Sequence, residues 1–351
     1  MKLCRVENLK GGEILSKDVM TSDVRVLLSE GTELRPEYID KINRLGITEV
    51  YIKEEEKILT QEVVILKSET EGFFKDRVKS ILEKHTYSKN DELMELSQTA
   101  DHIITNILEE EEVVEKIYDI KERSCDIYEH SISICSLATL TALKLKLSKE
   151  KVHDIGVACL LHDLGLRYLT IEYADQDIST LSKIELAEYM KHPVYGYSAL
   201  KDENWISNAV KNIILYHHER LDGTGYPLKA KEIPFETQIV NICDTFDEMI
   251  CGIGCKRIKV YEAVEYLKSY RGIKFNSDIV DTFLEFTAVY PAGSQVLLSD
   301  NRVGKVVRQN KEFPDRPVIQ IIKDKSGKLV NEEIYVDLIK VNNIFIEKVL
   351  E

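Results

Sequence analysis

No apolar run in the 351 residues approaches the roughly 18–20 needed to cross a bilayer. The opening Met1-Lys2-Leu3-Cys4-Arg5-Val6-Glu7 is no signal peptide, so a cytoplasmic protein is the expectation. Cys-x-x-Cys pairs are missing as well. The seven cysteines are odd in number and scattered, which argues against a disulfide framework and for reduced thiols in a reducing compartment. Cys251 and Cys255 lie one helical turn apart and could pinch a metal, but two thiols without histidine partners read more simply as packing. Positive charge is scarce: 47 Lys and Arg against 61 Asp and Glu leave a formal charge of −14. That balance argues against a general nucleic-acid binder, because phosphate backbones are held by surplus cations. If the substrate is a phosphate, bound cations must supply the local positive potential.

The length points to two or three domains. A 44% hydrophobic share supports a true core and a 31% charged share a soluble surface. Residues 1–60 read as a small α/β module. Val24-Arg25-Val26-Leu27-Leu28 is strand-like, Gly31 breaks it, Pro36 stands where a helix can start, Gly46 ends that helix, and Glu49-Val50-Tyr51-Ile52 is a second strand. Nothing there has catalytic spacing, so docking or regulation is its expected role. Residues 61–122 are charged and helical in pattern and read as a linker. His85 and His102 are expected at its surface, and Glu109-Glu110-Glu111-Glu112 on a solvated helix face.

Residues 123–290 have the composition of a helical bundle. Ile127, Ile134, Leu137, Leu140 and Leu143 recur near helical spacing, and Val157-Ala158-Cys159-Leu160-Leu161 predicts a buried helix leading into His162-Asp163. Pro193 suits a first helical turn, which would place His192 at the N-cap. Residues 291–351 switch to alternation, with short strands at 294–298, 304–307, 318–322, 335–338 and 344–346 separated by Asp300-Asn301, Pro314-Asp315 and Ser326-Gly327 turns. A small β-barrel or sandwich is the predicted form. No aromatic-plus-basic face marks it for nucleic acid, so a structural or interaction module is expected.

The chemistry concentrates in the bundle. His217-His218-Glu219-Arg220-Leu221-Asp222-Gly223-Thr224-Gly225-Tyr226-Pro227 sets two histidines at a helix end ahead of a glycine-rich turn. Counting His130, His162, Asp163, His192, His217, His218 and Asp244, the region holds more candidate ligands than one mononuclear site needs. Mixed imidazole and carboxylate donors suit Fe, Mn, Zn or a similar divalent ion rather than Ca or Mg. Asp163, directly beside His162, could bridge two ions about 3.5–4 Å apart, the arrangement that activates a water and steadies both oxygens of an in-line phosphoryl displacement.

His162-Asp163-Leu164-Gly165, His192-Pro193-Val194-Tyr195-Gly196, the stretch from His217 to Pro227, and Asp244 within Asn241-Ile242-Cys243-Asp244-Thr245-Phe246-Asp247 together resemble the successive motifs of the HD-GYP family, a branch of the HD phosphohydrolases whose members hydrolyse cyclic di-GMP. The resemblance covers about residues 123 to 290 and implies an HD-type helical bundle. It implies that His130, His162, Asp163, His192, His217, His218 and Asp244 are metal ligands for two divalent ions, with Fe or Mn the expected metals, Asp163 bridging, and His162 and Asp163 catalytic. A third ion in some members uses an acidic residue four before the first histidine, which is Asp126 here. Substrate contacts are implied for Arg220, Gly225, Tyr226, Pro227 and Lys256. The product would be linear pGpG, GMP or both, and the Gly-Tyr-Pro loop would also meet signalling proteins. A homodimer is among the expected assemblies.

Within that loop, Asp222 can accept backbone N–H groups in an Asx turn, Gly223 and Gly225 can take positive φ, and Pro227 sets the exit, with Tyr226 displayed rather than buried. Two positions depart from the family. Leu166 stands where a lysine usually follows the Gly of the His-Asp motif, and Ile253-Gly254-Cys255-Lys256 stands for an Arg-Pro-Tyr-Arg segment. Charge-assisted hydrogen bonds to phosphate are worth on the order of 1.5–3 kcal/mol each, so two losses could lower affinity or rate by orders of magnitude. Arg167, Arg220, Lys256 or Arg257 could compensate. Two readings follow: a metal-dependent phosphodiesterase, or a metal-bearing sensor of a cyclic dinucleotide or another nucleotide that has lost efficient hydrolysis.

Overall fold

The computed structural model describes residues 2–21, 26–53, 60, 62–87, 91–110, 112–123, 125–171, 177–311, 313–330 and 332–350. They form two compact units, Met1–Leu59 with Glu122–Ser124, and Thr60–Lys121 with Cys125–Glu351. In the first, β1 (Lys2–Arg5), β2 (Val19–Met20), β3 (Val26–Leu28), α1 (Pro36–Arg44) and β4 (Glu49–Ile52) enclose Val6, Leu15, Leu34, Ile42 and Val50. β1 pairs antiparallel with β4 and β2 with β3. Pro36 opens α1, and Gly46 leaves it at φ +73°, a conformation that costs a glycine little. Val24 and Arg25 of the expected strand lie outside the described residues.

The second unit begins with α2 (Ser68–Tyr87) and α3 (Glu95–Leu108). These helices correct the reading of a linker. Phe74, Val78, Ile81 and Leu82 on α2, and Leu96, Ala100, Ile103 and Ile107 on α3, are buried in the main core. Their helical spacing lines one face of each helix, which charge counted over the whole segment hides. His85 falls on the α2 apolar stripe and is buried, not at the surface, whereas His102 is exposed. The acidic run is not mid-helix either: α3 stops at Leu108, and Glu109, Glu110 and Glu112 are exposed in the turn beyond, Glu111 lying outside the described residues. Negative side chains oppose the negative end of the helix dipole, so the run favours termination.

The bundle continues through α4 (Ile127–Lys144), α5 (Lys149–Leu161), α6 (Lys183–Tyr189), α7 (His192–Leu200), α8 (Asn208–Tyr216), α9 (Phe235–Cys251), α10 (Val260–Ser269) and α11 (Ser277–Glu285). α4 and α9 are buried on nearly every face, as helices in the middle of a bundle must be. Good caps set their starts: Ser148, Ser182, Ser207 and Asn276 each accept a backbone N–H in the first turn. None of the described helices is long and apolar enough to cross a membrane.

β5 (Gln295–Leu298), β6 (Val303–Arg308), β7 (Val318–Lys323), β8 (Tyr335–Asp337) and β9 (Ile346–Leu350) make one antiparallel sheet in the order β8-β7-β6-β5-β9 around Val296, Leu298, Val306, Ile319 and Ile321. The last strand is displaced from the expected 344–346, because Ile346–Leu350 pairs with β5 while Glu347 and Lys348 on it are exposed and break the apolar signal. Buried Asp119 fastens this sheet to the bundle. Its carboxylate accepts from Val63 N at 2.9 Å, Ala292 N at 2.7 Å and Gln309 Nε2 at 2.8 Å.

Candidate metal centre

The helix ends of the bundle place its histidines. His162 follows α5, His217 follows α8, and His192 is the first residue of α7, with Lys191 rather than His192 as the N-cap. Each of the three sits three residues beyond a carbonyl that a helix end leaves available. His162 Nδ1 meets Cys159 O at 2.7 Å, His192 Nδ1 meets Tyr189 O at 2.8 Å and His217 Nδ1 meets Ile214 O at 2.8 Å. A carbonyl can only accept, so Nδ1 carries the proton and Nε2 of the neutral ring keeps its lone pair. His130, in the first turn of α4, is not placed this way. It reaches the same tautomer by donating from Nδ1 to Asp247 Oδ2 at 2.7 Å, while Ser133 Oγ donates to Asp247 Oδ1 at 2.7 Å. Asp247 carried no assigned role in the sequence; its spacing three past Asp244 was the available signal.

The four Nε2 atoms converge. His192 Nε2 and His217 Nε2 are 3.2 Å apart, two lone pairs facing one another once each Nδ1 carries its proton. Asp163 divides its oxygens: Oδ2 is 3.3 Å from His162 Nε2 and 3.8 Å from His130 Nε2, while Oδ1 is 3.4 Å from His192 Nε2 and 3.8 Å from His217 Nε2. Asp244 Oδ1 is 3.2 Å from His130 Nε2 and 3.6 Å from His162 Nε2. All these side chains are buried, yet His130 Nε2, His162 Nε2 and both Asp244 oxygens make no hydrogen bond. Buried polar atoms normally have partners. Ligands held about 2.0–2.2 Å from one ion stand roughly 3–3.6 Å from each other, so these spacings match the edges of coordination shells except for the two at 3.8 Å, which are slightly wider. Two groups emerge, Asp163, His192, His217 and His218 on one side and His130, His162 and Asp244 on the other, and they could hold two divalent ions.

The electrostatics agree with a cluster built for cations. Burial disfavours a charge on His162, yet Asp163 and Asp244 beside it push its pKa up to about 10. Burial and the neighbouring His162 push His217 down to about 3, leaving its ring neutral and ready to ligate. Burial would raise Asp163, but His162, His192 and His130 around it hold it below the usual carboxylate range.

The loop after His218 differs from expectation in two ways. Asp222 Oδ1 does accept from Thr224 N at 2.9 Å, and Gly223 takes φ +79°. Gly225 does not take positive φ; it is glycine because a Cβ there would lie 2.4 Å from Glu219 Cα and 2.5 Å from Arg220 N. Tyr226 is turned inward, not displayed: its ring stacks on His218 at 4.6 Å and meets His192 edge-on at 6.1 Å. The Tyr226-Pro227 peptide is cis. Glu219, unassigned in the sequence, is fully buried and anchors the exit by accepting from Leu228 N at 2.6 Å and Ala230 N at 2.9 Å. Asn241 Nδ2 donates to Glu219 O at 2.7 Å, tying the loop to α9.

Other expected residues lie elsewhere. Asp126 is the N-cap of α4, accepting from Tyr128 N and Glu129 N at 3.0 Å, and is paired with Lys75 at 2.7 Å. It belongs to none of the metal-competent groups among the described residues. Arg220 donates to Thr245 Oγ1 at 2.8 Å and lies over the Phe275 ring. Arg167 donates to the Tyr128 hydroxyl. Lys256 is exposed beyond the end of α9, while Leu166 and Ile253 are buried. Cys251, read as packing, is buried with His130 and Asp247 as neighbours, so one thiol of that pair does have a histidine beside it.

Residues 83–279, more than half of the chain, match the family model of the HD domain. The chain belongs to the HD domain family, in its HD-GYP branch. Residues 295–351 of this HD-GYP chain match the KOW domain associated with the HD domain, which accounts for the terminal sheet. A cyclic di-GMP phosphodiesterase from Pseudomonas aeruginosa is 27% identical over 69% of this chain and 59% of its own length. One from Borreliella burgdorferi is 26% identical over 63% of this chain and 59% of its length, and one from Thermotoga maritima is 31% identical over 51% of each. The chain thus spans about three fifths or less of these relatives. A solved HD-GYP-type protein from Bdellovibrio bacteriovorus shares the fold at a TM-score of 0.56 and 19% identity, over 80% of this chain and 97% of that one.

Proposed function

We propose that this chain is a metal-dependent phosphodiesterase that hydrolyses cyclic di-GMP to the linear dinucleotide, GMP or both. The observation that carries the reading is the division of Asp163, with one oxygen toward His130 and His162 and the other toward His192 and His217. In this reading His130, His162 and Asp244 hold one divalent ion, His192, His217 and His218 the other, and Asp163 faces both. When bound, such a pair supplies charge to the phosphoryl oxygens and acidity to the attacking water. The protein's part is to fix the donors: three carbonyls and Asp247 lock the imidazole tautomers, so the site is organised before substrate arrives. The mixed nitrogen and oxygen donors suit Fe, Mn, Zn or a similar divalent ion, and the family resemblance supports Fe or Mn among them. The seven scattered cysteines, with no Cys-x-x-Cys pair among them, suit a reducing compartment, in keeping with a cytoplasmic protein. The relatives named as cyclic di-GMP phosphodiesterases support this substrate.

His192 and Tyr226 stand together at the cluster, and Tyr226 over His218 forms an aromatic wall against which a nucleotide can rest. Gly225 and Pro227 set the position of that wall, with Arg220 and Lys256 as the remaining proposed substrate contacts. The burial of Leu166 and Ile253 favours a second reading, a weakly active cyclic dinucleotide sensor, since neither position offers a cation to the phosphates.

Turnover of cyclic di-GMP by protein purified anaerobically and reloaded separately with Fe, Mn and Zn, with metal counted on the same sample, decides between them. Hydrolysis that disappears in Asp163→Ala and His162→Ala supports the enzyme. Bound metal with nucleotide binding and no turnover supports the sensor.

A further inference from the structure

A second histidine-centred arrangement lies outside the metal centre, where α3 meets α5. Gly156 sets that contact: a Cβ on it would lie 3.3 Å from Ile104 Cδ1 and 3.4 Å from Ala100 Cβ, so the two helices approach closely along the stripe that carries Ala100 and Ile104. Ser97 and Asp101, one turn apart on α3, and His153, one turn before Gly156 on α5, border the contact. His153 Nδ1 is 2.7 Å from Asp101 Oδ1, and His153 Nε2 is 3.1 Å from Ser97 Oγ.

The carboxylate can only accept, so Nδ1 carries the proton and Nε2 offers its lone pair to the Ser97 hydroxyl. A hydroxyl that donates to an imidazole, itself held by a carboxylate, is the order of groups that makes serine a nucleophile. His153 stands nine residues before His162 on the same helix, about 13 Å along its axis and half a turn round from it, so this group is separate from the metal cluster. Solvent reaches it: the His153 and Asp101 side chains are 31% and 61% exposed, and Ser97 is half-buried.

We propose that Ser97, His153 and Asp101 form a second, metal-independent site that hydrolyses carboxylic esters of acidic alcohols through an acyl-serine. Ser97 Oγ attacks the carbonyl carbon while its proton passes to His153 Nε2. The ester C–O bond then breaks, and Nε2 returns that proton to the leaving oxygen. Water repeats the two steps on the acyl-serine and releases the acid. Asp101 keeps its hydrogen bond to Nδ1 and offsets the imidazolium charge without taking the proton. In so open a setting water screens the charge that develops on the carbonyl oxygen, so the reaction depends on an acidic leaving group, and phenyl esters rather than amides are the substrate class.

The probe is p-nitrophenyl acetate, given to the full chain as purified and again after chelation. Nitrophenolate release is followed by absorbance, acetylation is located by mass spectrometry of proteolytic peptides from acid-quenched samples, and circular dichroism confirms the fold of each variant. The expected result is catalytic release that chelation leaves unchanged, an acetyl group on Ser97 of the unaltered chain, and a loss of about 100-fold or more in both Ser97→Ala and His153→Ala, the scale of a general base. No release above that of buffer, acetyl confined to other side chains, release that survives Ser97→Ala, or release lost on chelation overturns the proposal and leaves the three side chains as a hydrogen-bonded tie between α3 and α5.

Discussion

At the scale of single residues, the site is decided by which ring nitrogen carries the proton. Three backbone carbonyls do this for His162, His192 and His217, and Asp247 does it for His130. The carbonyls cannot be mutated, but Asp247 can. Asp247→Ala is expected to weaken metal affinity about 10–100-fold with the ligands themselves unchanged, as loss of an outer partner to a metal-bound histidine generally does, and competition with a calibrated chelator measures it. An affinity equal to that of the unaltered chain would show that Asp247 only fills space. Gly225 makes a second case. A Cβ would strike backbone atoms of Glu219 and Arg220, which cannot retreat while Glu219 holds Leu228 N and Ala230 N. Gly225→Ala should therefore displace Tyr226 from His218 and cost roughly 1–3 kcal/mol by overpacking. Denaturant unfolding gives the energy, and a crystal structure of the variant shows the ring.

At the scale of elements, α4 carries His130 and is positioned by its cap. Asp126 accepts two N–H groups at the start of the helix and pairs with Lys75 of α2, so Asp126→Ala is expected to cost about 0.5–2 kcal/mol. Burial raises the Asp126 carboxyl, but Lys75 and the two N–H groups outweigh it and hold it below its ordinary value. A carboxyl depressed on folding stabilises fully above its unfolded pKa of about 3.9, and that contribution is lost as pH falls through the lower folded value. The difference in stability between the unaltered chain and Asp126→Asn should consequently shrink as pH is lowered below about 4. Parallel urea titrations from neutral pH downward check this, and a constant gap would remove the ion pair from the account.

At the scale of the whole molecule, Asp163, Asp244 and Asp247 are buried around histidines contributed by several helix ends. Cations that bind the folded cluster and not the unfolded chain stabilise by mass action, about 2.7 kcal/mol at a hundred times Kd. Chelation should lower Tm, and Mn²⁺ should restore it in a concentration-dependent way. Scanning calorimetry would detect the shift; an unchanged Tm after verified metal removal would contradict the coupling. The terminal sheet is joined to the bundle through Asp119, which accepts from Val63 N before α2, from Ala292 N after α11 and from Gln309 of the sheet module. That joint links residues far apart in the chain and had no local signature.

Much was legible in one dimension. The run from His217 to Pro227, the His162-Asp163 pair and the helix-to-strand change near residue 291 are local patterns, and local pattern is what the chain order records. They determined the residue types available to a metal and the kind of chemistry to expect. The assignment of donors required the fold. Asp126 is a carboxylate one turn from a ligand, yet it meets Lys75 and the first turn of α4. Tyr226 turns inward for the same kind of reason: His218 and His192 lie beneath it. These outcomes depend on which helix ends meet, and packing of distant segments, not spacing along the chain, decides that.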